Sequence, residues 1–371
     1  MLRIALVHDW LTGMRGGEKV LGSLCKLFPE AHLFTLLHHK GACESLVHGR
    51  NVTTTALNRL PGIQHYYRSL LPIFPLAALS LDCRRFDVVI SSSHCVAKGV
   101  RLGPDCVHIC YCHTPMRYIW HQSQQYEQRM TVTARSVLRL ARPYLRAWDK
   151  KSALGVHQFV ANSRFVAERV RSVYGRESEV IYPPVDVDYF APALVEREDY
   201  YLLVSSLVPY KCVDHAVEAF RGLPHELRVI GSGPMLKKLE ASAPPNVRFM
   251  GWQSDEVIRE NYQRCRALVF PGEEDFGMVP VEAMACGAPV IAYRGGGALE
   301  TVRNLTECER PTGMLYTPQS PDGLAKAVRA FEQRRAMFDP QDARVWSEHF
   351  GKEAFARGFR AVYEAALARR R

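Results

Sequence analysis

Short apolar runs alternate with helix-length stretches along almost all of the 371 residues, the pattern of parallel strands covered on both faces by helices. In the first half the runs predict strands at Arg3 to Val7, His32 to Leu36, Asp87 to Ser91, Val107 to Cys112, Gln158 to Ala161 and Val180 to Tyr182. In the second half they predict strands at Tyr200 to Ser205, Leu227 to Gly231, Val247 to Met250, Ala267 to Phe270 and Val290 to Tyr293. Two such series predict two doubly wound parallel-sheet domains. Pro183-Pro184 stiffens the connector between them, and the linker reads on through Pro192. From about Phe350 the chain reads as a helix with Phe355, Phe359, Val362 and Ala366 on its apolar side. Open α/β sheets bind ligands beyond the carboxyl ends of their strands, so two facing sheets predict a cleft.

Charge changes this picture because it is unevenly placed. Residues 1–190 carry 24 Lys and Arg against 14 Asp and Glu, whereas residues 191–371 carry 24 against 24, so the whole net charge of +10 sits in the first half. Part of it clusters at Arg129, Arg135, Arg139, Arg142, Arg146, Lys150 and Lys151, with Leu138, Tyr144 and Trp148 nearby. Helical spacing puts Arg135, Arg139, Arg142 and Arg146 on one face, either a solvated face or one that lies on an anionic membrane. No helix-turn-helix, finger or RNA-binding signature accompanies the basic residues, which excludes nucleic acid as the expected partner. No stretch approaches the roughly 20 apolar residues that span a bilayer, and the opening residues Met1 to Asp9 break too soon for a secretion signal. Eleven cysteines without framework spacing fit a reducing compartment. The expected location is therefore the cytoplasm, at the inner face of the membrane if the basic helix docks there.

The densest chemistry lies between Phe270 and Val290. Pro271-Gly272 ends the apolar run, Glu274 precedes a helix start, and Glu282 follows on the helix, which Gly287 and Pro289 close. Pro280 falls in the first turn, where amides lack intrahelical partners and attract an anion, and Gly277 allows close approach to the backbone. Gly16-Gly17 at the entry to a helix after the first strand allows a similar approach. Lys211 lies in a strand-to-helix loop and suits a phosphate as a compact point charge. His113 leaves the end of a strand where the cleft is expected, and Pro115 fixes the turn after it. Gly231-Ser232-Gly233 follows another strand, and Gly295 to Val302 forms a further glycine-rich loop.

These motifs, most specifically from Tyr200 to Val302, closely resemble the family 4 retaining glycosyltransferases, nucleotide-sugar-dependent enzymes of the GT-B fold. The resemblance implies two facing Rossmann-like domains, 1–185 and 186–349, with the helix of 350–371 crossing back to the first. It implies that Glu274 contacts the donor sugar, Glu282 the ribose, and the backbone at Phe276, Gly277, Met278 and Val279 the sugar and phosphate. Gly16 and Gly17 then approach the donor phosphates, Gly231 lies at the nucleotide end, and His113, Lys211 and Glu274 form the catalytic set. The family usually carries an Arg at the position of Ser206, which here is serine; Arg294 is a candidate substitute. Attack on the same face as the leaving group, with the departing phosphate taking the acceptor proton, is likewise implied by resemblance, as is independence from a metal. Within the family the segments Leu207 to Lys211, Glu273 to Met284 and Cys112 to Tyr118 are most similar to bacterial mannosyltransferases of O-antigen and exopolysaccharide assembly. GDP-mannose is the first expected donor, a UDP-hexose the near alternative, and a lipid-linked glycan the acceptor.

Other readings make different demands. A catalytically silent sugar-nucleotide-binding relative draws support from Ser206. A nicotinamide oxidoreductase needs a glycine fingerprint and an acidic ribose reader after the first strand, and neither occurs. Cys106, His108, Cys110 and Cys112 alternate along a strand, which suggests a metal but reads better as buried thiols. Asp186-Val187-Asp188 is assigned to the hinge after Pro183-Pro184 rather than to a metal site.

Overall fold

Seven parallel strands build the sheet of the first unit: β1 (Ile4–Leu11), β2 (His32–His38), β3 (Val52–Thr54), β5 (Val88–Ser93), β7 (Val107–Cys112), β8 (Gln158–Ala161) and β9 (Ser178–Val180). Their order is β3-β2-β1-β5-β7-β8-β9. Between them β4 (Asp82–Cys83) and β6 (Arg101–Leu102) form a separate parallel pair. The second unit holds a six-stranded parallel sheet of β10 (Tyr200–Val204), β11 (Glu226–Ile230), β12 (Val247–Gly251), β13 (Ala267–Phe270), β14 (Val290–Tyr293) and β15 (Gly313–Tyr316), in the order β12-β11-β10-β13-β14-β15. This computed structural model describes residues 2–121, 123 and 132–369. The first unit comprises the described residues of 1–184 and 355–371, and the second comprises 185–354.

The expected α/β architecture with two Rossmann-like parallel sheets is what the chain adopts. The bounds of β7, β8, β13 and β14 coincide with the apolar runs that predict them. β1 runs on to Leu11, because His8 and Asp9, which interrupt its apolar run, are fully buried. β3 and β15 were not predicted. Both are short sheet edges with partly exposed side chains, and Val52–Thr54 has one apolar residue in three. β9 closes at Val180, two residues before the predicted Tyr182.

Alternation along β1 feeds two cores, with Ala5 and Val7 on one face of the sheet and Leu6 on the other. Helix Lys352–Ala368 contributes Phe355, Phe359 and Ala366 to the second of these, beside Ile90, Ile109 and Tyr111. Burying each phenylalanine contributes roughly 1.5–3 kcal/mol. In the second unit, residues 185–191 are held down. Val185 donates to Phe350, Arg259 and Gln263 donate to the carbonyls of Tyr189 and Ala191, and Arg344 donates to those of Val187 and Phe190.

Helix Val132–Leu154 faces inward with Leu138, Leu145, Asp149 and Ala153. Lys98 and Asp149 form a buried ion pair, and Asp149 also accepts from Trp120 Nε1 at 2.8 Å and Tyr174 Oη at 2.9 Å. The basic face is not uniformly solvated. Arg146 donates to the Ile119 carbonyl at 2.9 Å and covers the Trp120 ring, while Arg139, Lys150 and Lys151 stay exposed. Arg129 lies outside the described residues. The outward side instead carries Val137, Leu140, Tyr144 and Leu154, with Leu140 85% exposed.

Candidate active site

In the first unit, neighbouring strands β1, β5 and β7 end in polar residues that meet one another. Asp9, fully buried at the end of β1, accepts the backbone N–H groups of His94, Cys95, Val96 and Ala97 at 2.7–3.0 Å and pairs with the His94 imidazole at 3.1 Å. Burial opposes the charge on this carboxyl, but the contacts with His94 outweigh it and hold its pKa far below the ordinary range. Asp9 thus ties the turn after β5 to β1.

Beside it a polar chain leads to His113. Glu18 lies 3.9 Å from Nε2 of His8, His8 Nδ1 lies 3.1 Å from Ser92 Oγ, and Ser92 Oγ lies 2.8 Å from Nε2 of His113. Burial raises the Glu18 carboxyl, and His8 more than offsets this, so it titrates below its usual value. Burial, then the neighbouring His94 and His8, push His113 well below the ordinary histidine value, so it is neutral near pH 7. An ionised Glu18 favours a proton on His8 Nε2. His8 Nδ1 then accepts from Ser92, whose oxygen accepts from His113 Nε2–H, leaving His113 Nδ1 as an acceptor.

Gly16 and Gly17 open helix Gly16–Leu27. A side chain at Gly17 would meet His8 Cε1 at 3.5 Å and His113 Nε2 at 3.8 Å, so the glycine pair and His113 are neighbours. Glu18, the next residue, caps the same helix start by accepting from Arg15 N at 3.1 Å.

In the second unit, Lys211 ends the turn Pro209–Lys211 after β10, and Glu274 lies between β13 and helix Met278–Ala285. Their side chains form an ion pair. With Leu203 to Ser205 and Val269 to Gly272 they line a cavity of about 10 Å³, room for about one water molecule. A side chain at Gly272 would lie 3.0–3.2 Å from the backbone of Lys211, so glycine there lets the lysine turn close over the end of β13. Gly277, at φ +84°, takes the left-handed conformation that starts the helix, and Met278 and Val279 supply its first-turn amides. The 295–297 loop packs directly on the Glu274 turn: Gly297 N donates to Glu274 O at 2.8 Å, and a side chain at Gly297 would sit 2.3 Å from the Phe276 backbone.

Glu282 is buried on the same helix and accepts from Tyr262 Oη at 3.4 Å, but it does not line the Lys211–Glu274 cavity. Gly231 and Ser206 lie side by side. A side chain at Gly231 would meet Ser205 O at 1.8 Å, and Ser206, in the following position, is exposed. Arg294 is paired with Glu307 at 2.6 Å. In each unit, therefore, the residues singled out from sequence gather at the carboxyl ends of the central strands: Gly16, Gly17 and His113 in the first, Lys211, Glu274 and the 276–279 backbone in the second.

Sequence reasoning missed His8, Asp9, Ser92 and His94 as part of this machinery. Their signal is the polar break at the end of an otherwise apolar strand, His8-Asp9 after β1's apolar run and Ser91 to His94 after β5's. The four alternating residues, of which Cys106 precedes β7, do not gather into one site. Cys106 packs in one core, Cys110 and Cys112 in another, and His108 bonds Ser91 Oγ at 2.8 Å. All eleven cysteines are free thiols, and among the described residues no group of three or more His, Cys, Asp or Glu is placed to hold a metal ion. Asp186 pairs with Lys352.

Comparison with known proteins agrees with this fold. Residues 14–189 match the family described as Glycosyltransferase Family 4, and residues 186–348 match Glycosyl transferases group 1. An uncharacterized glycosyltransferase of Methanocaldococcus jannaschii is 28% identical over 230 residues, 59% of this chain and 62% of that relative. The alpha-1,3/1,6-mannosyltransferase ALG2 of Kluyveromyces lactis is 25% identical over 338 residues, 74% of this chain and 65% of that relative. The chain thus spans less than two thirds of the length of these curated relatives. Among solved structures, HepE of Anabaena in complex with UDP and glucose matches with a TM-score of 0.67 at 18% identity, covering 98% of this chain and 100% of that one. The two matched families together span residues 14–348, so the chain carries a Glycosyltransferase Family 4 domain followed by a Glycosyl transferases group 1 domain, and its fold is that of the GT-B glycosyltransferases.

Proposed function

We propose that this protein transfers a hexose from a nucleotide sugar to a lipid-linked glycan in the synthesis of cell-surface polysaccharide. The observation that carries the reading is the Lys211–Glu274 ion pair set against the start of helix Met278–Ala285. A nucleoside diphosphate sugar offers each partner a replacement: diphosphate oxygens for the ammonium group, sugar hydroxyls for the carboxylate. The donor enters by parting the pair, and Lys211 then stabilises the departing diphosphate together with the amides of Gly277, Met278 and Val279. His113, neutral and held through Ser92, offers Nδ1 to a sugar hydroxyl. Glu282 takes the ribose. Gly16 and Gly17 admit the donor phosphates, and Gly231 and Ser206 lie toward the nucleotide.

Mannose from GDP-mannose is the first donor proposed, supported by the motif resemblance and by the mannosyltransferase among the relatives. A UDP-hexose is the alternative, supported by the neighbour that holds UDP and glucose. The reaction proceeds with retention, and the lysine and helix amides supply the stabilising charge without a resident metal. The acceptor is met at the cytoplasmic face of an anionic membrane, where the exposed Val137, Leu140, Tyr144 and Leu154 and the cationic Arg139, Lys150 and Lys151 of helix Val132–Leu154 lie on the lipid surface. Among the described residues no helix is long and apolar enough to cross a membrane.

The test is incubation with radiolabelled GDP-mannose or UDP-glucose and a lipid-linked glycan extract, with and without chelator. Label in the lipid fraction, undiminished by chelator and with the donor's anomeric configuration kept, supports the proposal. Absence of transfer from either donor overturns it.

A further inference from the structure

Beside the glycine pair, the first unit opens into a basin of about 360 Å³ lined by Thr12, Arg15, His39, Gln64, His65, Tyr67 and Arg68. Among the described residues no carboxylate lines it. The nearest acid in sequence to Arg15 is Glu18, which is buried and turned toward His8. On the opposite wall the chain is free of acid over a long span. Between Glu44 and Asp82 there is no Asp or Glu, while Arg50, Arg59 and Arg68 and two histidines fall there. Two guanidinium groups and two imidazoles around one basin form a receptor for a phosphate or diphosphate, because Arg matches phosphate oxygens with paired N–H donors.

The same wall is apolar outside the basin. Ile63, Tyr67, Leu71, Phe74 and Ala78 fasten it to the core, and Trp10 packs on the Tyr67 ring at 5.3 Å between centroids. What remains outward is Leu60, Tyr66, Ile73, Leu76 and Leu79, from 39% to 65% exposed, and across the basin Met14 is 48% exposed. Exposed apolar groups gathered on one segment mark a surface that meets something apolar. Here they adjoin cationic lining residues, with Met14 before Arg15 and Tyr66 between His65 and Tyr67. Cations inside and hydrocarbon beside them fit an amphiphile with a phosphorylated head.

We propose that this basin binds the phosphate or diphosphate head of a lipid, with Arg15 and Arg68 as the principal anion contacts and the 60–79 segment against its hydrocarbon. Identifying that lipid with the carrier of the acceptor rests on the function proposed above; the binding chemistry does not. The site places the lipid's head next to Gly16 and Gly17, the helix start that faces His113.

The experiment is calorimetric titration of the full chain with dodecyl phosphate, inorganic pyrophosphate and the uncharged dodecyl maltoside. It is repeated on an Arg15→Gln, Arg68→Gln variant and an Arg15→Lys, Arg68→Lys variant. Dodecyl phosphate is expected to bind most tightly, to weaken at least about tenfold in the glutamine variant through loss of charge-assisted hydrogen bonds, and to recover in part with lysine. Pyrophosphate that loses affinity in Lys211→Ala but not in the arginine variant reports the second unit alone. Equal binding of dodecyl maltoside and dodecyl phosphate, or unchanged dodecyl phosphate affinity in the glutamine variant, overturns the proposal. GDP-mannose and UDP-glucose are titrated in the same series, so failure of the glycosyltransferase reading shows separately as absence of donor binding.

Discussion

Ser92 Oγ stands 2.8 Å from His113 Nε2 and joins two buried imidazoles whose ring centroids lie 6.4 Å apart, edge to face. Because the hydroxyl has a single proton, it fixes the direction of the whole chain from Glu18 to His113. Nitrogen-15 NMR of the histidine rings is expected to show His113 neutral and protonated on Nε2 at pH 7. Ser92→Ala removes the partner and should mix the tautomers. Turnover should fall about 2- to 10-fold, the worth of one neutral hydrogen bond, with little change in donor KM. A His113 found protonated on Nδ1 alone, or a Ser92→Ala variant with full turnover, removes Ser92 as a positioning residue.

The buried pair Lys98–Asp149 calls for a different outcome, in stability rather than turnover. Burial lowers the Lys98 pKa, and the charge and hydrogen bond of Asp149 more than reverse this, so Lys98 stays charged. Asp149→Ala leaves Lys98 charged without its partner and strips the acceptor from Trp120 and Tyr174. Such a change should cost about 3–5 kcal/mol. The double replacement Lys98→Met, Asp149→Leu should cost distinctly less. Urea unfolding followed by tryptophan fluorescence measures both, and equal losses contradict the account.

Two deeply buried histidines add to the pH dependence of the first unit. Burial takes His108 down to about 3 and His113 well below its ordinary value, so both are neutral in the fold and protonate in the unfolded chain near pH 6.5. The unfolded state therefore binds more protons below that pH, and stability falls as pH falls through the window from about 6.5 toward the His108 value of about 3. Each histidine contributes a slope of about 1.4 kcal/mol per pH unit. Hydrogen exchange of the β7 amides, corrected for intrinsic pH effects, should show this loss of protection. In His108→Gln the slope should shrink by one histidine's share, and an unchanged slope counts against the assignment.

Much of this fold is legible in the sequence because buried parallel strands advertise themselves as short apolar runs closed by turn residues. Ala267 to Phe270 before Pro271-Gly272 is the clearest case. Edge strands such as Gly313–Tyr316 are quieter, since only one neighbour covers them. The site was legible in its residue types but not in its contacts. Lys211 meets Glu274 only because β10 and β13 are neighbours in the sheet, and the link from His8 through Ser92 to His113 exists only because β1, β5 and β7 lie side by side. The arginine helix shows the same limit. Spacing places Arg135, Arg139, Arg142 and Arg146 together, but it does not say that Trp120 and the Ile119 carbonyl wait on that side to draw Arg146 inward.

Gly297 offers a test of how the Glu274 turn is held. A side chain there meets the Phe276 backbone at 2.3 Å, a contact that only movement of the turn relieves. Gly297→Ala is expected to weaken donor binding at least as much as removing one contact to the sugar. The same replacement at Gly222, where an added side chain meets only the end of Arg329 at 3.8 Å, should leave donor affinity intact. Comparable donor affinity in the two variants contradicts a role for the 295–297 loop in seating Glu274.

The central claim is that Lys211 and Glu274 part to admit a nucleoside diphosphate sugar. Calorimetric titration of GDP-mannose and of GDP alone, with UDP-glucose and UDP in parallel, into the unaltered chain, Lys211→Ala and Glu274→Gln tests it directly. The account predicts that Lys211→Ala weakens both sugar nucleotide and free diphosphate by about 10- to 150-fold, the range of a lost hydrogen bond to a charged group. Glu274→Gln should weaken the sugar nucleotide while leaving the free diphosphate bound as well or better, since the lysine no longer has a competing carboxylate. Sugar nucleotides that bind equally to all three proteins, or to none of them, contradict it.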